Sequence, residues 1–143
     1  MRYVAIDSNI FVSSLDPGDV FHNECYPIFE RLLREEFNAI CSCLVLVETV
    51  CVVSRRLNYE KIATDVYNEL ASLSSIQWID ITSEIAARAC LLGIETTLKG
   101  GDAIILQTAK KYAIPLVTKD KEIKNNAPKG FAVYEPLELF KHY

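Results

Sequence analysis

A chain of 143 residues, half of them hydrophobic, is the size of one domain and can bury roughly two-thirds of its unfolded surface. Its net charge of −4 excludes a protein that coats nucleic acid through overall positive charge. The longest apolar runs, Leu44–Val47 and Val50–Val53, fall far short of the roughly 20 residues that span a bilayer, and the N-terminus reaches Asp7 before a signal-peptide apolar region can form. Residues 1–143 are therefore expected to make a single cytoplasmic domain with no membrane span.

Residues 2–6 read as a short buried strand, with Asp7 at its carboxyl end and Ser8 as a start signal for a short helix running from Asn9. A helix from about Val20 to Glu36 carries Cys25, Ile28, Phe29, Leu32 and Leu33 on one face, and Asn38–Cys41 makes a second strand. In Leu44–Arg56 the valines favour a strand and the length favours a buried helix; length decides for helix. Asn58 reads as the N-cap of a helix with Ile62, Val66, Leu70 and Leu73 at helical spacing, followed by a strand over 76–81 that places Trp78 in the core or at its rim. From Ser83 to about Thr97 a helix turns Ile85, Ala86, Ala89, Leu92 and Ile94 inward. Asp102 opens the next, with Ile105, Leu106, Ala109 and Tyr112 inward and Lys110 and Lys111 outward. Strands over 116–118 and 131–134 precede a closing helix over 135–143. Alternating strands and helices predict an α/β domain whose parallel sheet is covered on both faces.

Four acids stand at the edges of apolar segments. Asp7 and Asp120 follow strands, Asp102 sits in the first turn of a helix, and Glu48 interrupts an apolar run. Burying an unpaired carboxylate costs several kcal/mol, so Glu48 calls for a cation or a proton. In an open α/β sheet the carboxyl edge of the strands is where ligands bind, and helix starts nearby bring Asp102 to the same crevice. Four carboxylates together repel one another unless cations are present, and all-oxygen donors select hard ions, Mg²⁺ or Mn²⁺. Such ions orient a phosphodiester, lower the pKa of a bound water and neutralise charge at phosphorus, which points to phosphodiester hydrolysis.

At these residues the chain resembles the PIN-domain family, in Ile-Asp7-Ser8-Asn9, in Glu48 within a helix, in Gly101-Asp102-Ala103 opening another, and in Val-Thr118-Lys-Asp120 after a strand. Their order and setting agree over nearly the whole chain, although each motif alone is weak. The resemblance implies a three-layer α/β/α sandwich with a short central parallel sheet of four to five strands, and a Mg²⁺- or Mn²⁺-dependent endoribonuclease that leaves a 5′-phosphate and a 3′-hydroxyl. It implies that Asp7, Glu48, Asp102 and Asp120 are the catalytic, metal-holding residues, with Asn9 and Thr118 orienting them. Family members of this size are often VapC-like toxins of VapBC toxin–antitoxin modules, which implies an RNA substrate, an antitoxin partner and a homodimer. The alternative is a PIN fold that binds RNA, or serves RNA processing or assembly, without turnover or toxin role. A haloacid-dehalogenase phosphatase would need an Asp where Asn9 stands, and a response-regulator receiver would need an acidic pair after the first strand.

Between Lys99 and Lys129 lie seven lysines and three acids, against eight basic and sixteen acidic residues elsewhere. Within this stretch Lys119 and Lys121 flank Asp120 and are candidate contacts for RNA phosphates, the competing reading being a solvated face. Glu122 is a candidate accessory ligand, with a surface acid as the simpler reading. The five cysteines, with no Cys-x-x-Cys pair and only His22 and His142 for company, make a poor zinc set and read as reduced core residues.

Overall fold

Strands β1 (Tyr3–Ile6), β2 (Asn38–Ser42), β3 (Ile76–Ile79), β4 (Leu116–Val117) and β5 (Val133–Tyr134) form one sheet in the order β3-β2-β1-β4-β5, and every ladder is parallel. The structure, a computed structural model, describes residues 2–143; Met1 of the expected domain lies outside them. Among the described residues eight helices connect or follow the strands: α1 (Ser8–Leu15), α2 (His22–Leu33), α3 (Cys43–Leu57), α4 (Glu60–Ser72), α5 (Ser83–Thr96), α6 (Gly100–Lys111), α7 (Lys121–Asn126) and α8 (Pro136–Leu139). No helix among them is long and apolar enough to cross a membrane.

The apolar runs read as strands are buried without alternation: Val4, Ala5, Ile6, Leu116 and Val117 are all within 1% of full burial. That pattern belongs to a parallel sheet with helices on both faces. Helix α6 lies against β1 and β2 and pairs with α5, while α1 packs on α2 and α3. Phe11 of α1 meets Phe29 of α2 edge to face at 6.4 Å and Trp78 of β3 at 6.3 Å, and the Trp78 indole N–H donates to the Leu70 carbonyl at 3.0 Å. One aromatic cluster thus joins α1, α2, β3 and α4, the kind of packing in which rings contribute beyond their buried area.

The chain runs outward from β1 to β2 and β3, then returns to the other side of β1 as β4 and β5. Its direction of travel reverses between β1 and β4, and the loops leaving two such strands open a crevice at their carboxyl ends. The Asp7 N–H bonds the Val117 carbonyl at 3.0 Å, which clamps that edge.

Several local expectations shift. The ambiguous segment is not one of them: it is helical as its length predicts, and Ser42 caps it by accepting from the Leu44 N–H at 3.2 Å. Asn58 does not start α4; it ends α3 in the left-handed region at φ 46°, a conformation Asn tolerates better than most residues, and α4 begins after Tyr59 without a side-chain cap. Ile62 and Ile94 face outward, Ile94 at 78% exposure, because Ala63 and Leu92 occupy the inward positions beside them. Strand β3 stops at Ile79, since Thr82 caps α5 by accepting from the Ile85 N–H. Helix α6 starts two residues before Asp102, and the closing helix is shorter than expected, fixed by a capping box between Glu135 and Glu138. Helix α7 went unread because its six residues bury only Ile123 and so show no amphipathic period. Cys25 and Cys41 are core residues, but Cys43 is half-buried and Cys51 and Cys90 are exposed.

Candidate active site

Asp7 occupies the centre of the crevice. It is the residue after β1 and the N-cap of α1, and only 4% of it is exposed. Oδ1 accepts from the Ser8 N–H at 2.7 Å and lies 3.4 Å from the Ser8 hydroxyl; Oδ2 accepts from the Thr118 hydroxyl at 2.7 Å and from the Asn9 amide at 3.2 Å. Burial nevertheless pushes its pKa up, opposed by these donors and reinforced by Asp120.

Thr118 and Asn9 tie the second strand end to the first. The Thr118 hydroxyl accepts from the Asp120 N–H at 2.9 Å and lies 3.2 Å from the Asn9 amide nitrogen, whose own carbonyl accepts from the Lys119 N–H at 3.2 Å. Asp120 in turn caps α7 by accepting from the Glu122 N–H at 2.8 Å. Capping is thus a demonstrated role of both Asp7 and Asp120, and in each case a second carboxylate oxygen is left for other partners or for none.

The remaining two acids arrive on helices. Asp102 lies in the first turn of α6, where a negative charge suits the helix dipole. Burial first, then Asp7 and Asp120, still push its pKa up to about 6, with Glu122 adding to the rise and Lys99 opposing it. Glu48 lies mid-way along α3; burial, then Asp7 and Asp102, push its pKa up, and its Oε1 is buried without a hydrogen-bond partner. The helical reading of the ambiguous segment is what brings Glu48 here.

Asp7, Glu48, Asp102 and Asp120 therefore share one electrostatic neighbourhood with Asp7 as its hub. Among the described residues no group of three or more His, Cys, Asp or Glu side chains forms a ready-made metal cage. Pairs of carboxylates with waters completing the shell suit Mg²⁺, which dehydrates reluctantly and is commonly held by one or two carboxylates. The orphaned Glu48 Oε1 and the mutual raising of pKa values are the two features of the chain that fit a hard cation here.

The lysine-rich stretch does not form one patch. Lys119 turns inward to Glu24 at 3.0 Å and Glu135 at 3.8 Å, and Lys124 pairs with Glu135 and Glu138. Lys110 and Lys111 lie at the far end of α6, about 13 Å along its axis from Asp102. Lys99 and Lys121 remain exposed beside the acids, and Glu122 is an exposed neighbour rather than a buried one. Ser8 and Lys99 were named in the sequence only as a helix start and as one of seven lysines, with no role at the site; adjacency to Asp7 and to the Gly-Gly-Asp102 turn was the signal that marked them.

No curated protein matches the sequence. Three solved structures share the fold: the toxin VapC20 of Mycobacterium tuberculosis, described as cleaving the sarcin–ricin loop, with TM-score 0.75, 16% identity, and coverage of 90% of this chain and 96% of that one; a toxin–antitoxin complex of Klebsiella pneumoniae, with TM-score 0.67, 25% identity and coverage of 95% and 98%; and VapBC2 of Rickettsia felis bound to promoter DNA, with TM-score 0.65, 20% identity and coverage of 94% and 98%. The model of the family described as PIN domain matches residues 4–128, a span that takes in all four acids and, Tyr3 of β1 apart, every strand but β5, and the chain belongs to that family.

Proposed function

We propose that the protein is a divalent-metal-dependent endoribonuclease, the toxin of a toxin–antitoxin module, with Asp7, Glu48, Asp102 and Asp120 holding Mg²⁺ or Mn²⁺. The observation that carries this reading is the convergence of the four acids at the β1/β4 switch point with the Glu48 Oε1 left unpartnered. A cation bound there would neutralise phosphate charge and activate a water. The chain's own residues do the positioning. Ser8, Asn9 and Thr118 fix the Asp7 carboxylate, so its free lone pairs keep one direction, and Thr118 holds the Asp120 backbone in the same unit. With its pKa raised to about 6, Asp102 is competent to exchange a proton near neutral pH when no cation is bound, and burial followed by the charges of Asp7 and Asp102 shifts Glu48 in the same direction. Lys121, exposed next to Asp120, and Lys99, exposed near Asp102, are the cations from the lysine stretch left to meet RNA phosphate.

The partner reading rests on likeness to solved toxin–antitoxin complexes and on two surface clefts that none of the four acids lines. One, about 630 Å³, lies between α3 and α4 beside Val50, Cys51, Ala63 and Tyr67; the other, about 540 Å³, lies between α5 and α6 beside Cys90, Gly93 and Ile94. Apolar surface of this kind suits an antitoxin segment or a second copy of the chain.

Incubating RNA with purified protein tests the activity. Cleavage with Mg²⁺ or Mn²⁺ that stops with EDTA is the expected result, and cleavage that persists in EDTA rejects the metal-dependent reading.

A further inference from the structure

A cleft of about 320 Å³ adjoins the acid cluster through Asn9 and Asp120, and Asp19, Phe21 and Arg56 also line it. Arg56 closes α3 and sends Nη1 to Asp19 at 2.7 Å and Asp16 at 3.2 Å. Two carboxylates thus lock the guanidinium in place while spending one of its three nitrogens; Nη2 and Nε have no partner among the described residues, and the side chain remains 43% exposed. Phe21 lines the same cleft, 39% exposed, with the Lys119 ammonium over one face of its ring at 4.3 Å from the centroid, which leaves the other face for stacking.

The charge balance decides what such a cleft accepts. Asp16, Asp19 and Asp120 outnumber Arg56, and Lys119 is spent on Glu24 and Glu135, so a second phosphate is repelled where a neutral, hydrogen-bonding group is not. An aromatic face beside a fixed fork of N–H donors is how single-stranded RNA bases are held, stacked on a ring and bonded along an edge.

We infer that this cleft is a nucleobase pocket for the nucleotide flanking the cleaved bond, with Phe21 as stacking platform and the free Arg56 N–H groups donating to a base edge that presents paired acceptors, as guanine O6 and N7 do. The inference rests on the ribonuclease reading, and it adds a specificity site that the acid cluster does not contain. Arg is the residue whose fork matches that acceptor pair.

Fluorescence anisotropy in EDTA, with short single-stranded RNAs that carry one guanine, 7-deazaguanine, inosine or adenine in a uridine background, tests the pocket without turnover. Guanine and inosine, which keep O6 and N7, are expected to bind about tenfold more tightly than 7-deazaguanine or adenine. In Arg56→Gln that preference disappears, and in Phe21→Leu, which leaves the Arg56 pairs intact, binding to all four weakens by about tenfold. Arg56→Lys, which keeps the charge and loses the fork, should lose the preference as well. Equal binding of the four RNAs by the wild-type protein, or a preference that survives both Arg56 substitutions, overturns the pocket. Should Arg56→Gln not fold, Phe21→Leu and Arg56→Lys carry the test. Metal-dependent cleavage of the same RNAs is scored separately: cleavage with no base preference sinks the pocket alone, and binding preference with no cleavage sinks the nuclease reading alone.

Discussion

The Thr118 hydroxyl donates to Asp7 Oδ2 across 2.7 Å and so joins two residues 111 positions apart in the chain. The same oxygen accepts from the Asp120 N–H at 2.9 Å, which makes one hydroxyl the tie between the ends of β1 and β4. Thr118→Val keeps the shape of the side chain and deletes both bonds, leaving a buried carboxylate short of a donor and a backbone N–H short of an acceptor. The expected cost is about 1–3 kcal/mol of stability, with Thr118→Ser recovering most of it. Urea unfolding at pH 7 measures this, and an unchanged midpoint in the valine variant would show that the tie is not structural.

Glu48→Gln should act in opposite directions on stability and on metal response. The carboxylate is half-buried beside Asp7 and Asp102 with its buried Oε1 unpartnered, so neutralising it relieves repulsion in the metal-free protein. Thermal unfolding in EDTA is expected to shift upward by a few degrees. The upward shift on adding Mn²⁺ should shrink, because a ligand that binds only the folded state stabilises in proportion to its affinity. A full Mn²⁺ shift in the variant would remove Glu48 from the proposed metal site.

The acid cluster also predicts the pH dependence of the metal-free fold. Asp102 has its pKa raised from 3.8 to about 6 on folding, so the folded protein holds that proton more tightly than the unfolded chain does. Its contribution is therefore fully favourable below about pH 3.8 and is lost as pH rises through about 6. Asp19 and Glu138 run the other way, since Arg56 and Lys124 respectively hold their carboxyls below the ordinary range, and their stabilisation is lost on acidification. The difference in stability between the wild-type protein and Asp102→Asn isolates the first effect. In EDTA the variant should gain on the wild type across pH 4 to 6.5, and a flat difference across that window would contradict the raised pKa.

How far sequence reaches in this chain depends on what each feature rests upon. Strands β1 and β4 were legible because a parallel sheet buries both faces and leaves an unbroken apolar run, and α3 was legible because 13 residues are too many for a buried strand. The acids stood out for the same reason, as charges against apolar sequence. Asn58 was misassigned because Asn serves N-caps and left-handed C-caps alike, and only the backbone angle tells them apart. Lys119 and Arg56 show the harder limit. Lys119 sits beside Asp120 in sequence yet points to Glu24, while Arg56, distant from every motif, walls the cleft next to Asp120. Partners drawn from α2 and from the α1–α2 connection are long-range facts that local pattern does not carry.

Asp7 is the hub on which the other raised pKa values depend, so its removal should be read out at a distance. Asp7→Asn takes away a charge that raises both Asp102 and Glu48. The amide can still offer its oxygen to the Ser8 N–H and its nitrogen to the Thr118 oxygen, so the fold is expected to persist. Cleavage should vanish, yet loss of activity alone does not distinguish a lost ligand from a distorted site. The titration of Asp102 does. Followed by carboxyl carbon NMR in metal-free protein, its pKa should fall from about 6 toward the ordinary carboxylate range in the variant, since burial remains and the Asp7 repulsion is gone. An Asp102 titration that does not move would mean that the Asp7 charge does not reach it, which would remove Asp7 as the hub of the cluster and withdraw the electrostatic basis for a cation shared between the two.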